Sequence, residues 1–302
     1  MDSTDNFLFQ YQSRSLPPSQ ILSHSQNQNL NIPQFSFLNS TNSPWFCSSF
    51  SPDPLIILQI NLDKSKVDTA NLPKEAKTHK IDLILLQEPH SKDGKILGIP
   101  KSWNQWLSAN GKAGIISFTS ASTPIFLGTK ENAVAIKTQT SIGPLSIISG
   151  YSSPYSDIQG TIQDISHFIT SLTQESVLIG ADMNAHSTLW GYPNDSPRGN
   201  AMCVEDFISS TNLHLLNVKD AGPTFQQHNA KGWPDLTLSI GQHLSNTASW
   251  EVLEDVSFSD HNFIKIQLNI TTQSHSYTWF KTAYGGHNKF IQNFKPKVNS
   301  IQ

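Results

Sequence analysis

Short apolar runs bounded by turn residues recur through the middle of the chain: LIILQI (55–60), IDLILLQ (81–87), AGIISFT (113–119), AVAIKT (133–138), LSIISGY (145–151), SVLIGAD (176–182), DLTLSI (235–240) and FIKIQLNI (263–270). Runs of this length, rich in Ile, Leu and Val, predict strands that are buried on one or both faces. Helical spacing appears between some of them. Ile158, Ile162, Ile165, Ile169 and Leu172 recur at three- and four-residue steps behind Ser156 or Asp157, either of which suits an N-cap. Residues 200–211 predict a second helix. A third is expected within 64–80, where Pro73 costs about 3 kcal/mol in a helix interior and should therefore start or kink it. Many strands with few helices predict an α/β fold in which two mixed sheets are flanked by helices.

The flanks read differently. From Met1 to about residue 53 the chain is dominated by Ser, Asn, Gln and Pro, with apolar residues only in small groups such as Phe35 to Phe37 and Trp45 to Phe50. Such a segment cannot offset its ordering entropy, so 1–53 is expected to be a disordered extension. After Ile270 the sequence turns polar and basic with no strand signal, so 271–302 reads as a linker. That leaves 54–270 as the folded domain.

Composition narrows the class. With 302 residues, a core can form without staples. Cys47 and Cys203 are the only cysteines and have no partner motif, which leaves a disulfide framework or thiolate site almost without support and points to a reducing, intracellular setting. No run approaches the roughly 18 apolar residues of a membrane span, and the first 20 residues lack the order of a signal peptide. The formal charge of −3 argues at first against a polyanionic partner. The charge is unevenly placed: 55–270 holds 15 Lys and Arg against 20 Asp and Glu, whereas 271–302 holds four Lys and no acid. A domain whose carboxylates bind divalent cations is acidic when counted without them, so the sum is compatible with weak, metal-assisted binding of nucleic acid.

Candidate chemistry lies at the ends of the apolar runs. Asn61 and Asp63 follow LIILQI, Glu88 follows LILLQ, Tyr151 ends LSIISGY, Asp182 and Asn184 follow VLIG, Asp235 opens DLTLSI, and Asp260 and His261 precede FIKIQL. Any one alone is more simply a turn former, cap or packing residue. Together they supply oxygen donors suited to a hard divalent cation, Glu88, Asp63, Asp260 and Asn61, with no sulfur among them. Phosphoryl chemistry also needs a base for water and donors to the phosphoryl oxygens. Asp182 and His261 can fill those roles, with Asp235 orienting the imidazole. At neutral pH either Asp182 or His261 can take the proton.

In this order the motifs N-L-D (61–63), Q-E-P (87–89), Y-S-S-P (151–154), G-A-D-M-N-A-H-S (180–187), L-W-G (189–191), D-L-T (235–237) and S-D-H (259–261) resemble the endonuclease domain of LINE-type, jockey-like non-LTR retrotransposons, within the apurinic-endonuclease and DNase-I-like endonuclease/exonuclease/phosphatase superfamily. The resemblance covers about 55–270, and W-F-K-T (279–282) looks like the connector that precedes the reverse transcriptase in such elements. It implies a DNase-I-like four-layer sandwich and a Mg²⁺- or Mn²⁺-dependent nuclease acting on DNA, nuclear when functional, with element RNA or a reverse transcriptase as further partners. It also implies roles: Glu88 as principal metal ligand with Asp63, Asp260 and Asn61, Asp182 activating water, Asn184 and Tyr151 on the phosphate, and His261 paired with Asp235 stabilising charge.

His186 and Trp190 are candidate DNA contacts, with turn stabilisation and packing as their plainer readings. His79, His90, His167, His214, His228 and His243 lack ligand spacing and are taken as surface residues. Lys281, Lys289, Lys295 and Lys297 form a loose basic tail. Two departures stand out: Pro234 restricts the backbone just before Asp235, and no polymerase follows, which suggests a truncated or domesticated copy. The alternatives are a phosphatase or phosphodiesterase of the same superfamily and a non-catalytic relic that binds nucleic acid.

Overall fold

The computed structural model describes residues 46–50, 53–118, 124–172, 174–194 and 200–277. Most of the expected 1–53 extension, the connector motif and the basic tail lie outside the described residues. All eight expected strands form, as Leu55–Asn61, Leu83–Gln87, Ala113–Ser117, Ala133–Thr140, Gly143–Tyr151, Ser176–Asp182, Asp235–Ile240 and Ile264–Leu268. They belong to two six-stranded mixed sheets. One runs in the order Ser249–Val252, Ile264–Leu268, Leu55–Asn61, Leu83–Gln87, Ala113–Ser117, Asn104–Leu107. The other runs His214–Leu215, Asp235–Ile240, Ser176–Asp182, Gly143–Tyr151, Ala133–Thr140, Ile125–Thr129.

Each sheet has one parallel pair at its centre, Leu55–Asn61 with Leu83–Gln87 and Gly143–Tyr151 with Ser176–Asp182. A parallel pair needs a crossover, and a helix supplies it in both cases. Helix α1 (Lys66–Thr78) bridges the first pair and α2 (Ile158–Ser171) the second. Strand alternation divides the apolar residues among layers. Leu55, Ile57, Leu83, Leu85, Ile136, Ile147 and Leu178 fill the space between the sheets. Leu58, Ile60, Ile84 and Leu86 pack outward with Leu72 and Ala76 of α1. Ile148, Val177 and Ile179 pack with Ile158, Ile162, Ile165 and Phe168 of α2 and with Val204 and Phe207 of α3 (Ala201–Ser210). The result is the expected four-layer α/β sandwich.

Several local expectations change. Asp157, not Ser156, caps α2, its side chain accepting from Gln159 N. Helix α1 begins seven residues before Pro73, because Ser65 accepts from Asp68 N as N-cap and Leu72 and Ala76 are buried on either side of the proline. The pattern missed Asn104–Leu107, Ile125–Thr129, His214–Leu215 and Ser249–Val252. These are the four edge strands, short and in part exposed, so they carry little hydrophobic signal. A short helix, α4 (Gln242–Thr247), was also missed. Finally, Phe46–Phe50 pairs antiparallel with Gln273–Tyr277, placing one strand in each flank where none was expected.

Candidate active site

The two parallel pairs end at one rim, and strand register sets their last residues side by side. Asn61 pairs with Gln87, Tyr151 with Asp182, and Asp182 with Asp235. The rim is therefore a product of topology, as is usual at the carboxyl ends of parallel strands. Below it a polar spine ties the sheets together: Gln87 Nε2 donates to Ser149 Oγ and to Gly180 O at 3.2 Å each, and Thr237 Oγ1 donates to Gln59 Oε1 at 2.9 Å. Gly180 permits this approach, since a Cβ there would lie 2.6 Å from Leu85 Cδ1 and 2.7 Å from Gln59 Oε1.

At the rim Asn61 Nδ2 donates to Asp182 Oδ2 at 2.7 Å, joining one sheet to the other. Asn184 N donates to the second oxygen, Oδ1, at 3.0 Å, while Asn184 Nδ2 reaches Ser152 O at 2.9 Å. His261 Nδ1 lies 2.8 Å from Asp235 Oδ2. One donor atom each from Asp182, Asp235 and His261 all fall within 4.8 Å of one another. The restriction imposed by Pro234 does not misdirect Asp235: the Pro234 carbonyl accepts from Met183 N at 3.0 Å and keeps the strand in register. Glu88, on the neighbouring strand end, pairs with Lys64 at 2.9 Å. Asp63, Glu88 and Asn184 all carry left-handed backbone, with φ of 42°, 43° and 47°. Strained φ at three rim residues of one site is the pattern expected where side-chain aim is over-determined by the fold.

Electrostatics follow from burial. Asp182 is 1% exposed, and its carboxyl is raised above the usual range first by desolvation and then by Asp235, with His261 and its hydrogen bonds opposing. For His261 burial acts to lower the pKa, but Asp235, by charge and hydrogen bond, and Asp182 outweigh it and bring the imidazole to about 9. Tyr151 is raised by burial and then by Glu88 and Asp182, so it is a neutral hydroxyl donor. Lys112 Nζ stands 5.4 Å from its ring centroid.

The structure thus gathers Asn61, Asp182, Asn184, Asp235, Tyr151 and His261 at one rim, with Glu88 beside them. Asp260 is adjacent in sequence to His261, and its carboxylate accepts from Gln227 Nε2 at 2.6 Å. Asp63 is exposed, and its backbone N donates to Asn61 Oδ1 at 2.9 Å. Trp190 has no exposed surface and donates Nε1 to Ala185 O at 3.0 Å, so it is a packing anchor and cannot stack on a base. His186 stacks on Tyr192 with centroids 4.4 Å apart. Two residues were given no role from the sequence. Ser259 accepts from His261 N at 3.1 Å and donates to Asn61 O at 2.9 Å, so it fixes the S-D-H turn against the first strand. Lys64 directly follows the N-L-D motif, and only its partner Glu88 gives it meaning.

Residues 145–265 match the family described as endonuclease-reverse transcriptase. The endonuclease domain of TRAS1, a telomere-specific non-LTR retrotransposon, has 28% identity, covers 72% of this chain and 98% of its own, and superposes with a TM-score of 0.63. In sequence and in fold, this chain is similar to a non-LTR retrotransposon endonuclease domain. A probable RNA-directed DNA polymerase from transposon X-element of Drosophila melanogaster is 27% identical to the chain over 222 residues, 67% of this chain. The chain spans 23% of that relative's length. The apurinic endonuclease LMAP of Leishmania major (12% identity, TM-score 0.56, 72% of this chain and 88% of its own) and the Xenopus laevis APE2 catalytic domain (15%, 0.54, 72% and 93%) share the fold.

The rim fits a divalent cation by its donor chemistry. Glu88 and Asp63 present carboxylates and Asn61 an amide, all hard oxygen donors. The ammonium that Glu88 now pairs with belongs to a lysine whose side chain is 62% exposed, so water can take it up when an ion competes for the carboxylate.

Proposed function

We propose that this domain is a divalent-metal-dependent endonuclease that nicks DNA and leaves a 3′-hydroxyl and a 5′-phosphate. The observation that carries this reading is the meeting of Asp182, fastened by Asn61 and Asn184, with the Asp235–His261 pair at a single rim. Asp182 is the group that takes the proton from water. Its raised pKa brings it closer to neutrality, where a general base works best. The water oxygen forms the new bond to phosphorus as the bond to the 3′ oxygen breaks. His261, kept protonated by Asp235, offers positive charge to the phosphoryl oxygens as they gain negative charge. Tyr151 and Asn184 stand at the same strand ends and hold the phosphate. Glu88 with Asp63, Asn61 and Asp260 would hold a divalent cation, Mg²⁺ or Mn²⁺ by donor type, which would supply positive charge to the phosphate and the leaving oxygen.

A nick of this polarity can prime reverse transcription, which agrees with the retrotransposon relatives and makes element RNA and a reverse transcriptase the fitting partners, in the nucleus. The test uses supercoiled plasmid. Nicking with Mg²⁺, none with EDTA, and a loss of roughly 10² to 10³ in rate for Asp182→Asn and for Glu88→Gln are expected. Nicked product should be extended by a DNA polymerase without phosphatase treatment. Full activity in either variant, or ends that need phosphatase before extension, would overturn the assignment.

A further inference from the structure

Away from the rim, at the last turn of α1, Glu75 and His79 stand at i and i+4 on one helix face and meet Asp255 from the loop after Ser249–Val252. His79 Nε2 lies 3.1 Å from Asp255 Oδ2 and 3.8 Å from Glu75 Oε2. All three donor atoms fall within 4.8 Å of one another. His79 Nε2 is buried and makes no hydrogen bond: its ring does not aim at Asp255 Oδ2, 3.1 Å away, and Glu75 Oε2 lies beyond hydrogen-bond reach. The other oxygen of Glu75, Oε1, is engaged by Asn71 Nδ2 at 3.0 Å and Lys74 Nζ at 3.3 Å, which leaves Oε2 to face the histidine. Glu75 is buried and Asp255 exposed, giving the cluster a fixed floor and an open side.

We infer that Glu75, His79 and Asp255 form a second cation site, separate from the catalytic rim and selective for zinc-class ions. Ligand bonds of about 2.0 to 2.2 Å at tetrahedral angles put donor atoms roughly 3.3 to 3.5 Å apart, between the two spacings found here. One imidazole with two carboxylates suits Zn²⁺ or Co²⁺ better than Mg²⁺, and the open side leaves a position for water. The ion would tie the loop to α1. That loop runs on to Phe258, whose N donates to Asp68 Oδ1 in the first turn of the same helix, and then to Ser259, Asp260 and His261. An ion at Asp255 therefore fastens the catalytic turn's approach at a second point on α1.

The test is calorimetric titration of the full, chelator-treated chain with ZnCl₂, together with thermal melts in Zn²⁺ and in Mg²⁺. Binding of one Zn²⁺ that raises Tm, survives in His261→Gln, and weakens roughly tenfold or more in both His79→Gln and Asp255→Asn is expected. Asp255 is exposed, so its variant should fold even if His79→Gln does not. Binding lost in His261→Gln but retained in Asp255→Asn would place the ion at the catalytic cluster and overturn the inference. No Zn²⁺ binding by the wild-type chain would also overturn it.

Discussion

Asn61 Nδ2 and Asp182 Oδ2 are 2.7 Å apart, and this bond joins the last residue of a central strand in one sheet to the last residue of its counterpart in the other. Neither residue has appreciable exposure. Asn61 therefore aims the base as well as bringing the sheets together at the rim. Its own Oδ1 accepts from Asp63 N, so the amide's orientation is fixed by its neighbour.

Replacing Asn61 with Ala should leave one oxygen of a buried carboxylate without a donor, at a cost of about 1 to 3 kcal/mol in stability. Nicking should fall further than that loss of folded protein accounts for, because Asp182 loses its aim. Asn61→Asp should be worse for stability, since it sets a second carboxylate against the first. Chemical denaturation and plasmid nicking on the same preparations check both. A variant with wild-type rate would remove Asn61 from the machinery.

Gly180 and Gly160 give opposite expectations for one substitution. A methyl at Gly180 meets Leu85 Cδ1 at 2.6 Å and Gln59 Oε1 at 2.7 Å, both from the facing sheet. Gly180→Ala should destabilise by about 1 to 3 kcal/mol, as overpacking does. Gly160 lies in α2, where the nearest atom to an added Cβ is Asn132 Nδ2 at 3.6 Å. Gly160→Ala should stabilise by roughly 0.5 to 1 kcal/mol through the lower entropy of the unfolded chain. Equal shifts in Tm for the two variants would contradict this account of the interface.

The central strands and most of the rim were legible in the sequence because both rest on one signal. A continuous apolar run marks a strand buried on both faces, and the polar residue that ends it is delivered to the rim by that strand. Asn61, Asp182 and Asp235 were found in this way. Edge strands give no clean pattern: in Ile125–Thr129 two of the three large apolar residues, Ile125 and Phe126, are exposed. For Trp190 the plainer of its two readings holds: a Trp in a loop looks available to a base, but this one packs with Val204 and Phe207 of α3 and has no exposed surface. His79 read as a surface residue because its partner Asp255 is remote in sequence, and only the packing of the loop on α1 brings them together. Lys64 was invisible for a similar reason: its role is set by Glu88, across two parallel strands.

The Asp235–His261 pair makes stability depend on pH in a stated direction. Folding raises the His261 pKa from about 6.5 to about 9, so the folded state binds that proton more tightly than the unfolded chain does. The resulting stabilisation is complete below about pH 6.5 and is lost as pH rises toward and through 9. Asp182, also raised on folding, shifts in the same sense, since its proton too is held more tightly in the folded state, but over a lower range. The two contributions are separated by His261→Asn, which removes the imidazole and can still donate to Asp235. In EDTA, the Tm advantage of wild type over this variant should be largest near pH 6 and should shrink steadily between pH 7 and 9.5. The measurement is a set of thermal melts across that range at constant ionic strength. An advantage that stays flat to pH 9.5 would mean that His261 is neutral in the folded protein, and the charge-stabilising role given to it would have to pass to another group.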